Sequence, residues 1–169
     1  MYRRLDDFRK HFQEEVIDTL KVIRAIPDTA AGQSVSPAHR DLRRLAGHLV
    51  ESLVSLPAEI GLKVDGPAEN ASLASGGSMA DIAIQYEHAA TSLFKELEAW
   101  SDADLFKEDK LFGQLVWARG YTLLALAMHQ AHHRGQMTVL MRQAGLRIPE
   151  FYGPVLETYA AMGVPAPAV

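Results

Sequence analysis

The segment HQAHHRGQ, from His129 to Gln136, is the most informative part of this 169-residue chain. It carries three of the seven histidines within a stretch that otherwise has the pattern of one long helix. His129 and His133 are four residues apart, and on an α-helix this spacing places two imidazoles on one face, about 6 Å apart along the axis. Two neutral imidazoles held in this way can chelate one divalent metal ion.

The histidine segment belongs to the last of four long predicted helices. We predict this helix from about Trp117 to Ala144, with Gly145 as its C-terminal cap. Apolar residues recur at three- and four-residue steps in three earlier stretches. These stretches predict a first helix from Leu5 to near Pro27, a second that starts with Ser36 and Pro37 and ends near Gly61, and a third that starts with a capping box of Ser78 and Asp81 and ends near Trp100.

The connections complete the predicted fold. Residues 62–77 are rich in Gly, Ser, Ala and Asn and predict a long surface loop, Ser101 to about Leu115 predicts another connection, and a short helix is expected after Pro154. The chain is therefore predicted to be all-α, a four-helix bundle with a long loop between helices 2 and 3 and a short C-terminal helix. We expect one domain, residues 1–169.

Composition excludes several kinds of function. The net charge is -4, which disfavours nucleic-acid binding because such binding depends on a basic surface. The chain has no cysteine, so disulfides, thiolate nucleophiles and cysteine metal sites are excluded. The N-terminus lacks a signal-peptide pattern, and the longest apolar run, Tyr121 to Met128, is too short to span a bilayer. We expect a soluble, cytoplasmic protein that binds no membrane.

A helical wheel places the histidine pair at the edge of the bundle interior. At about 100° per residue, His133 lies about 40° and Gln136 about -20° from His129, beside the apolar face of the helix. His132 points further toward solvent or a neighbouring chain. Gln136 lies on the side of the pair and can orient a ligand or a bound water.

A third ligand must come from another helix. His48 lies in the middle of the second helix, at the flank of its leucine stripe, and polar residues on the same side suggest a groove (Asp41, Ser52, Ser55 and Glu59). Since metal sites in bundles are often built from facing helices, His48, His129 and His133 can supply three nitrogen ligands. Three protein ligands leave a coordination position open, as in catalytic metal sites.

Simpler interpretations remain open at this stage. A single helical histidine such as His48 is more often a surface or packing residue than a ligand, and the pair can instead form a pH-sensitive patch. Two further sets are interpreted without a functional role: His11, His39 and His88 as exposed or partly buried helical residues, and the arginines Arg40, Arg43 and Arg44 as a solvated face.

The chain resembles the DinB-like (YfiT-type) metal-dependent family of bacterial four-helix bundles. The resemblance rests on His-His-Arg-Gly-Gln in the last bundle helix, LRRLAGHLVES around His48, and RQAGLRIPEFYGP at residues 142–154. It implies a divalent metal, one of zinc, nickel, iron or manganese, held by His48, His129 and His133. It also implies a homodimer and, from relatives that are thiol-dependent S-transferases and a mycothiol-dependent isomerase, a low-molecular-weight thiol as cosubstrate.

The sequence and the resemblance together favour an enzyme. We expect the metal to activate a thiol or water for transfer to, or hydrolysis of, a small electrophilic substrate. Glu51 is a candidate base or partner of a ligand, and Gln136 is a second candidate catalytic residue. Alternatives are a non-catalytic metal- or ligand-binding dimer of stress-response type, and a helical dimer whose histidines only pack. We further expect Arg134 to form a structural ion pair or hydrogen bonds, Gly135 to admit a closely packed element, and Tyr121 and Tyr152 to line a pocket.

Overall fold

A computed structural model describes residues 1–67 and 77–168 of the chain. Within these ranges it contains five α-helices and one β-hairpin. The helices are α1 (Leu5–Arg24), α2 (Leu42–Ala58), α3 (Met79–Glu96), α4 (Arg119–Gln143) and α5 (Leu156–Ala161), and the strands are β1 (Glu108–Leu111) and β2 (Leu115–Ala118).

The four long helices form the predicted bundle. Both α1 and α2 pack against α3 and α4, so α2 and α4 are neighbours. Their apolar faces meet in one hydrophobic core, whose fully buried members include Phe8, Phe12, Ile23, Leu42, Leu49, Leu53, Ile82 and Leu93. Buried residues such as Leu42, Leu45, Leu49 and Leu53 of α2 recur at three- or four-residue steps, which is the spacing that keeps side chains on one face. This packing fixes which faces of α2 and α4 meet, and hence where their histidines lie.

Local capping chemistry marks the start of α3 and the end of α4. The side chain of Ser78 accepts a hydrogen bond from the backbone N–H of Asp81, and Asp81 accepts one in return from the backbone of Ser78, so the predicted capping box is confirmed. Gly145 has a φ of +71° directly after the end of α4, as expected for a C-terminal cap.

The predicted start of the second helix is wrong. Ser36 and Pro37 begin a turn, in which the carbonyl of Ser36 accepts from the backbone N–H of His39 at 3.0 Å. The helix begins at Leu42, because the carboxylate of Asp41 accepts from the backbone N–H of Arg44 at 2.7 Å. Residues 36–41 are therefore free to form a loop beside α4.

The connection predicted before α4 contains a hairpin. Strands β1 and β2 pair antiparallel, with Leu111 opposite Leu115. Phe112 and Gly113 both have positive φ, as in the tight turns typical of hairpins. The strands have only four residues each, too few for a clear alternating pattern.

Two further sequence-based expectations concern the loop between α2 and α3 and the crossing of a membrane. Much of the predicted long loop at residues 62–77 lies outside the described residues, since 68–76 are not described. In the described part of the chain, every helix is too short or too polar to cross a bilayer.

Candidate metal centre

Helix α4 brings His129 and His133 together on one face. Their ring centroids are 4.5 Å apart, with the ring planes at 81°. His133 is buried, at 7% exposure, and His129 is half-buried. The four-residue spacing thus places both imidazoles at the edge of the core, as the helical wheel predicted.

Helix α2 supplies the third histidine. Its leucines at positions 42, 45, 49 and 53 are buried, and this fixes the rotation of the helix so that the flanking His48 faces α4. The Nε2 atoms of His48 and His129 are 3.1 Å apart, and the ring centroids of His48 and His133 are 4.6 Å apart. One ring nitrogen from each of the three histidines lies within 4.8 Å of the others. The structure therefore brings together the three side chains that the sequence singled out.

The donor set fits a divalent transition metal. Two nitrogens bound tetrahedrally to zinc at about 2.0–2.1 Å lie roughly 3.3 Å apart, close to the 3.1 Å between the Nε2 atoms of His48 and His129. Three imidazoles suit zinc, nickel and iron alike. The cluster contains no carboxylate or thiolate of its own, so its chemistry depends on the imidazoles being neutral.

The surroundings of the cluster keep these rings neutral. Burial, together with the positive charges of Arg40 and the neighbouring histidines, lowers the pKa of His48 to about 4. Burial, together with His133, His132 and Arg40, lowers the pKa of His129 to about 4. Burial also lowers the pKa of His133, although its hydrogen bond to Gln136 acts in the opposite direction. Neutral imidazole is the form that binds metals.

These pKa values predict how the stability of the metal-free protein depends on pH. Below the unfolded pKa of about 6.5 the unfolded chain binds protons that folded His48 and His129 do not, so the free energy of unfolding falls as the pH drops from about 6.5 to about 4. Urea unfolding in the presence of a chelator at pH 7.5 and pH 5 measures this fall. The variant His48→Asn lacks one of these two groups, so its free energy of unfolding should fall less than that of wild type. The carboxylates are common to both proteins and contribute equally to both falls. An equal fall in both proteins would contradict the assignment.

Gln136 fixes the orientation of His133. Its side-chain Oε1 lies 2.7 Å from Nδ1 of His133, so this nitrogen donates the hydrogen bond and Nε2 is left as the ligand atom. The amide nitrogen of Gln136 lies 3.2 Å from Nε2 of His132. Gln136 thus orients the ring of His133, and this geometry favours the orienting role predicted for it over direct catalysis.

Glu51 is buried beside His48. Its carboxylate accepts two hydrogen bonds from Nη1 of Arg44, at 3.1 and 2.9 Å, and lies 3.7 Å from Nδ1 of His48. Nε2 of His48 faces His129 instead. Since the carboxylate is paired with a guanidinium and lies on the side of the ring away from His129, this geometry favours an orienting role for Glu51 over that of a general base.

A cavity opens next to the histidine cluster. It has a volume of about 380 Å³ and is lined by His133 and Gln136, by apolar side chains, and by His39 and Arg40 from the loop before α2. This volume falls in the range of small-molecule sites. His39 and Arg40 were interpreted from sequence as surface residues without a role, and no local signal identifies them because the shape of their loop depends on packing against α4.

Arg134, the arginine of His-His-Arg-Gly-Gln, has a structural role, as expected. Arg134 is fully buried and donates to the Glu15 carboxylate at 2.6 Å, to the Glu15 carbonyl at 3.1 Å and to Oγ1 of Thr19 at 2.8 Å. Its guanidinium also stacks on Phe151, at 5.1 Å from the ring centroid. Arg134 therefore connects α4 to α1 and to the segment before α5.

Two other expectations about this region are wrong. Gly135 is exposed, and a Cβ there would meet no atom within 4 Å, so no element packs against it. The close approach occurs at Gly120, where a Cβ would lie 2.2 Å from the carbonyl oxygen of Tyr2. Tyr121 packs edge-on against Trp117 and does not line the cavity beside His133. Tyr152, whose hydroxyl donates to Glu15, lies outside that cavity as well but lines a separate pocket with Ile148 and Phe151.

The remaining histidines lie outside the three-histidine cluster. His132 is exposed, in keeping with its predicted position on the wheel. His88 is paired with Asp65 on the surface, and His11 lies 3.2 Å from the carboxylate of Glu15.

Comparison with known proteins supports one family. A family model described as the DinB family matches residues 1–165. The chain is 34% identical, over 168 residues, to the uncharacterized protein YrdA of Bacillus subtilis (strain 168), and the match covers 99% of each protein.

Solved structures share the fold. A DinB-like protein from Bacillus cereus ATCC 10987 has a TM-score of 0.84 and 33% identity, over 90% of this chain and all of that one. The DinB-like protein YjoA from Bacillus subtilis has a TM-score of 0.68 and 18% identity, over 88% of this chain and 99% of that one. The second likeness concerns the fold alone.

Proposed function

Because this chain belongs to the DinB family, we propose that it is a metal-dependent enzyme in which His48, His129 and His133 hold one divalent metal ion. The observation that carries the proposal is the convergence of three ring nitrogens from two helices, within 4.8 Å of one another, beside a cavity. When bound by three imidazoles with an open position, such an ion lowers the pKa of a coordinated water or thiol.

The protein supplies orientation, neutral ligands and a place for the substrate. Gln136 holds Nδ1 of His133, and the Glu51 carboxylate lies beside Nδ1 of His48, so both rings are oriented with Nε2 toward the site. The cavity against His133 is large enough for a small substrate.

The reaction class we propose is attack of a thiolate or hydroxide on a small electrophile. The chain has no cysteine, so a sulfur nucleophile must come from a low-molecular-weight thiol. In thiol transfer the sulfur forms a bond to the electrophilic carbon, the leaving group departs with its electron pair, and the thiol proton passes to solvent. In the hydrolytic variant, water takes the place of the thiol.

Turnover assays test this proposal. Protein loaded with zinc, nickel, iron or manganese is mixed with low-molecular-weight thiols and a panel of alkyl halides, epoxides and esters, and product is quantified. We expect turnover that requires the metal and is lost in His133→Ala, with helix content unchanged by circular dichroism. Turnover that persists in His133→Ala would contradict the mechanism. Tight metal binding without turnover across the panel would favour a binding protein instead.

A separate prediction concerns the orienting role of Gln136. Replacing Gln136 with leucine removes the acceptor for Nδ1 of His133 and leaves the ring free to rotate, so we expect metal affinity to fall about 10- to 100-fold. Competition with a chelator of known affinity measures the change. The matched control is Gln143→Leu, also on α4 and exposed, which should bind metal as wild type does. Equal affinities for all three proteins would argue against an orienting role.

A further inference from the structure

We propose that the cavity beside His133 binds a small substrate in which a carboxylate is attached to a short apolar segment, and that Arg40 pairs with the carboxylate. The inference rests on the proposed function, because it names the substrate class of the same site. It identifies Arg40 as a specificity-determining residue.

The wall of the cavity is mainly apolar. Val35 and Leu45 line one side, from the loop before α2 and from α2 itself, and Val139 and Leu140 of α4 line the other. The volume of about 380 Å³ corresponds to a small ligand. Burying the apolar part of a ligand against these side chains is favourable by the hydrophobic effect, so this wall selects a substrate with an apolar segment.

Arg40 places one positive charge at the cavity. Arg40 lines the cavity together with His133 and Gln136, so its charge lies at the same space as the histidine cluster. Among the described residues, the lining contains no aspartate or glutamate. The electrostatic potential in the cavity therefore favours an anion and disfavours a cation.

Arg40 differs from the two arginines that follow it. Arg43 donates to the carbonyl of Gly77 and lies 3.4 Å from the Asp28 carboxylate, and Arg44 is paired with Glu51. Across residues 1–67 and 77–168, none of the ion pairs includes Arg40. Its exposed, planar guanidinium is thus available to a ligand, and two parallel N–H donors match the two oxygens of a carboxylate.

An NMR titration of the full chain tests this proposal with two probes of nearly equal shape, hexanoate and hexanamide. Amide chemical shifts are followed in ¹⁵N-labelled protein, both loaded with zinc and after chelation. We expect hexanoate to shift the amides of Val35 and Val139 and to bind more tightly than hexanamide. In Arg40→Met, hexanoate affinity should fall roughly 10- to 100-fold in both forms, in line with the strength of hydrogen bonds between charged groups, while hexanamide affinity stays unchanged.

Two further variants complete the design. Arg40→Lys keeps the charge but not the planar donors, and we expect hexanoate affinity between those of wild type and Arg40→Met. Arg24→Met, on α1 outside the cavity lining, should behave as wild type. Equal hexanoate binding by wild type and Arg40→Met, or shifts confined to residues outside the cavity, would overturn the proposal. The chelated protein keeps this test separate from the metal proposal, whose failure would appear as absent zinc in elemental analysis.

Discussion

Replacing His129 with alanine is expected to weaken zinc binding by about 10²- to 10³-fold. Zinc sites in proteins bind with about 10–16 kcal/mol, and loss of one of about four ligands removes roughly a quarter of that energy. The remaining ligands, His48 and His133, come from different helices, and their Nε2 atoms then have no third nitrogen to complete the site. Competition with a chromogenic chelator at pH 7.5 measures both affinities.

The segment from His129 to Gln136 contains a residue for a matched control. His132 lies three residues from His129 on the same helix, is exposed, and is not part of the cluster, so His132→Ala should bind zinc within a few-fold of wild type. Equal losses in the two variants would mean that zinc binds a surface histidine patch rather than the site between α2 and α4. Unchanged affinity in His129→Ala would remove His129 from the ligand set.

Replacing Arg134 with methionine is expected to lower the free energy of unfolding by about 3–5 kcal/mol. The arginine is fully buried, and its removal leaves the Glu15 carboxylate, also buried, without its guanidinium partner at 2.6 Å. The carbonyl of Glu15 and Oγ1 of Thr19 lose a donor at the same time. Urea unfolding followed by circular dichroism at pH 7.5 measures the change.

A double variant separates the buried charge from loss of packing. Adding Glu15→Gln to Arg134→Met removes the uncompensated carboxylate, so the double variant should be more stable than Arg134→Met alone. The exposed ion pair of Arg24 and Glu87 gives the control, and Arg24→Met should change the free energy of unfolding by at most about 1 kcal/mol. A loss in Arg134→Met no larger than in Arg24→Met would contradict a structural role for the buried pair.

The parts of this protein that sequence predicts well depend on local periodicity. The spacing of His129 and His133 fixes their common face, because residues four apart on a helix lie one above the other. His48 could be singled out because it flanks a leucine stripe that must face the core. The start of α3 and the end of α4 could be predicted because their caps, Ser78 and Gly145, act within a single turn.

The parts that sequence could not predict depend on contacts between distant segments. The partner of Arg134 is Glu15, 119 residues earlier in the chain, and no local pattern joins them. Arg40 is exposed, as predicted, but it also lines the cavity, because α2 starts at Leu42 and leaves residues 36–41 as a loop beside α4. The sequence around Gly120 and Gly135 likewise does not show that Gly120, rather than Gly135, is the glycine that lies against the backbone of another segment.

The proposed function depends on a single ion bound by imidazoles from both α2 and α4, and X-ray absorption at the zinc edge tests this most directly. For protein loaded with one equivalent of zinc, we predict three imidazole nitrogens at about 2.0–2.1 Å and one further oxygen or nitrogen donor. In His48→Ala one imidazole should disappear from the spectrum. Two or fewer imidazoles in wild type, or an identical spectrum in His48→Ala, would contradict the proposed function.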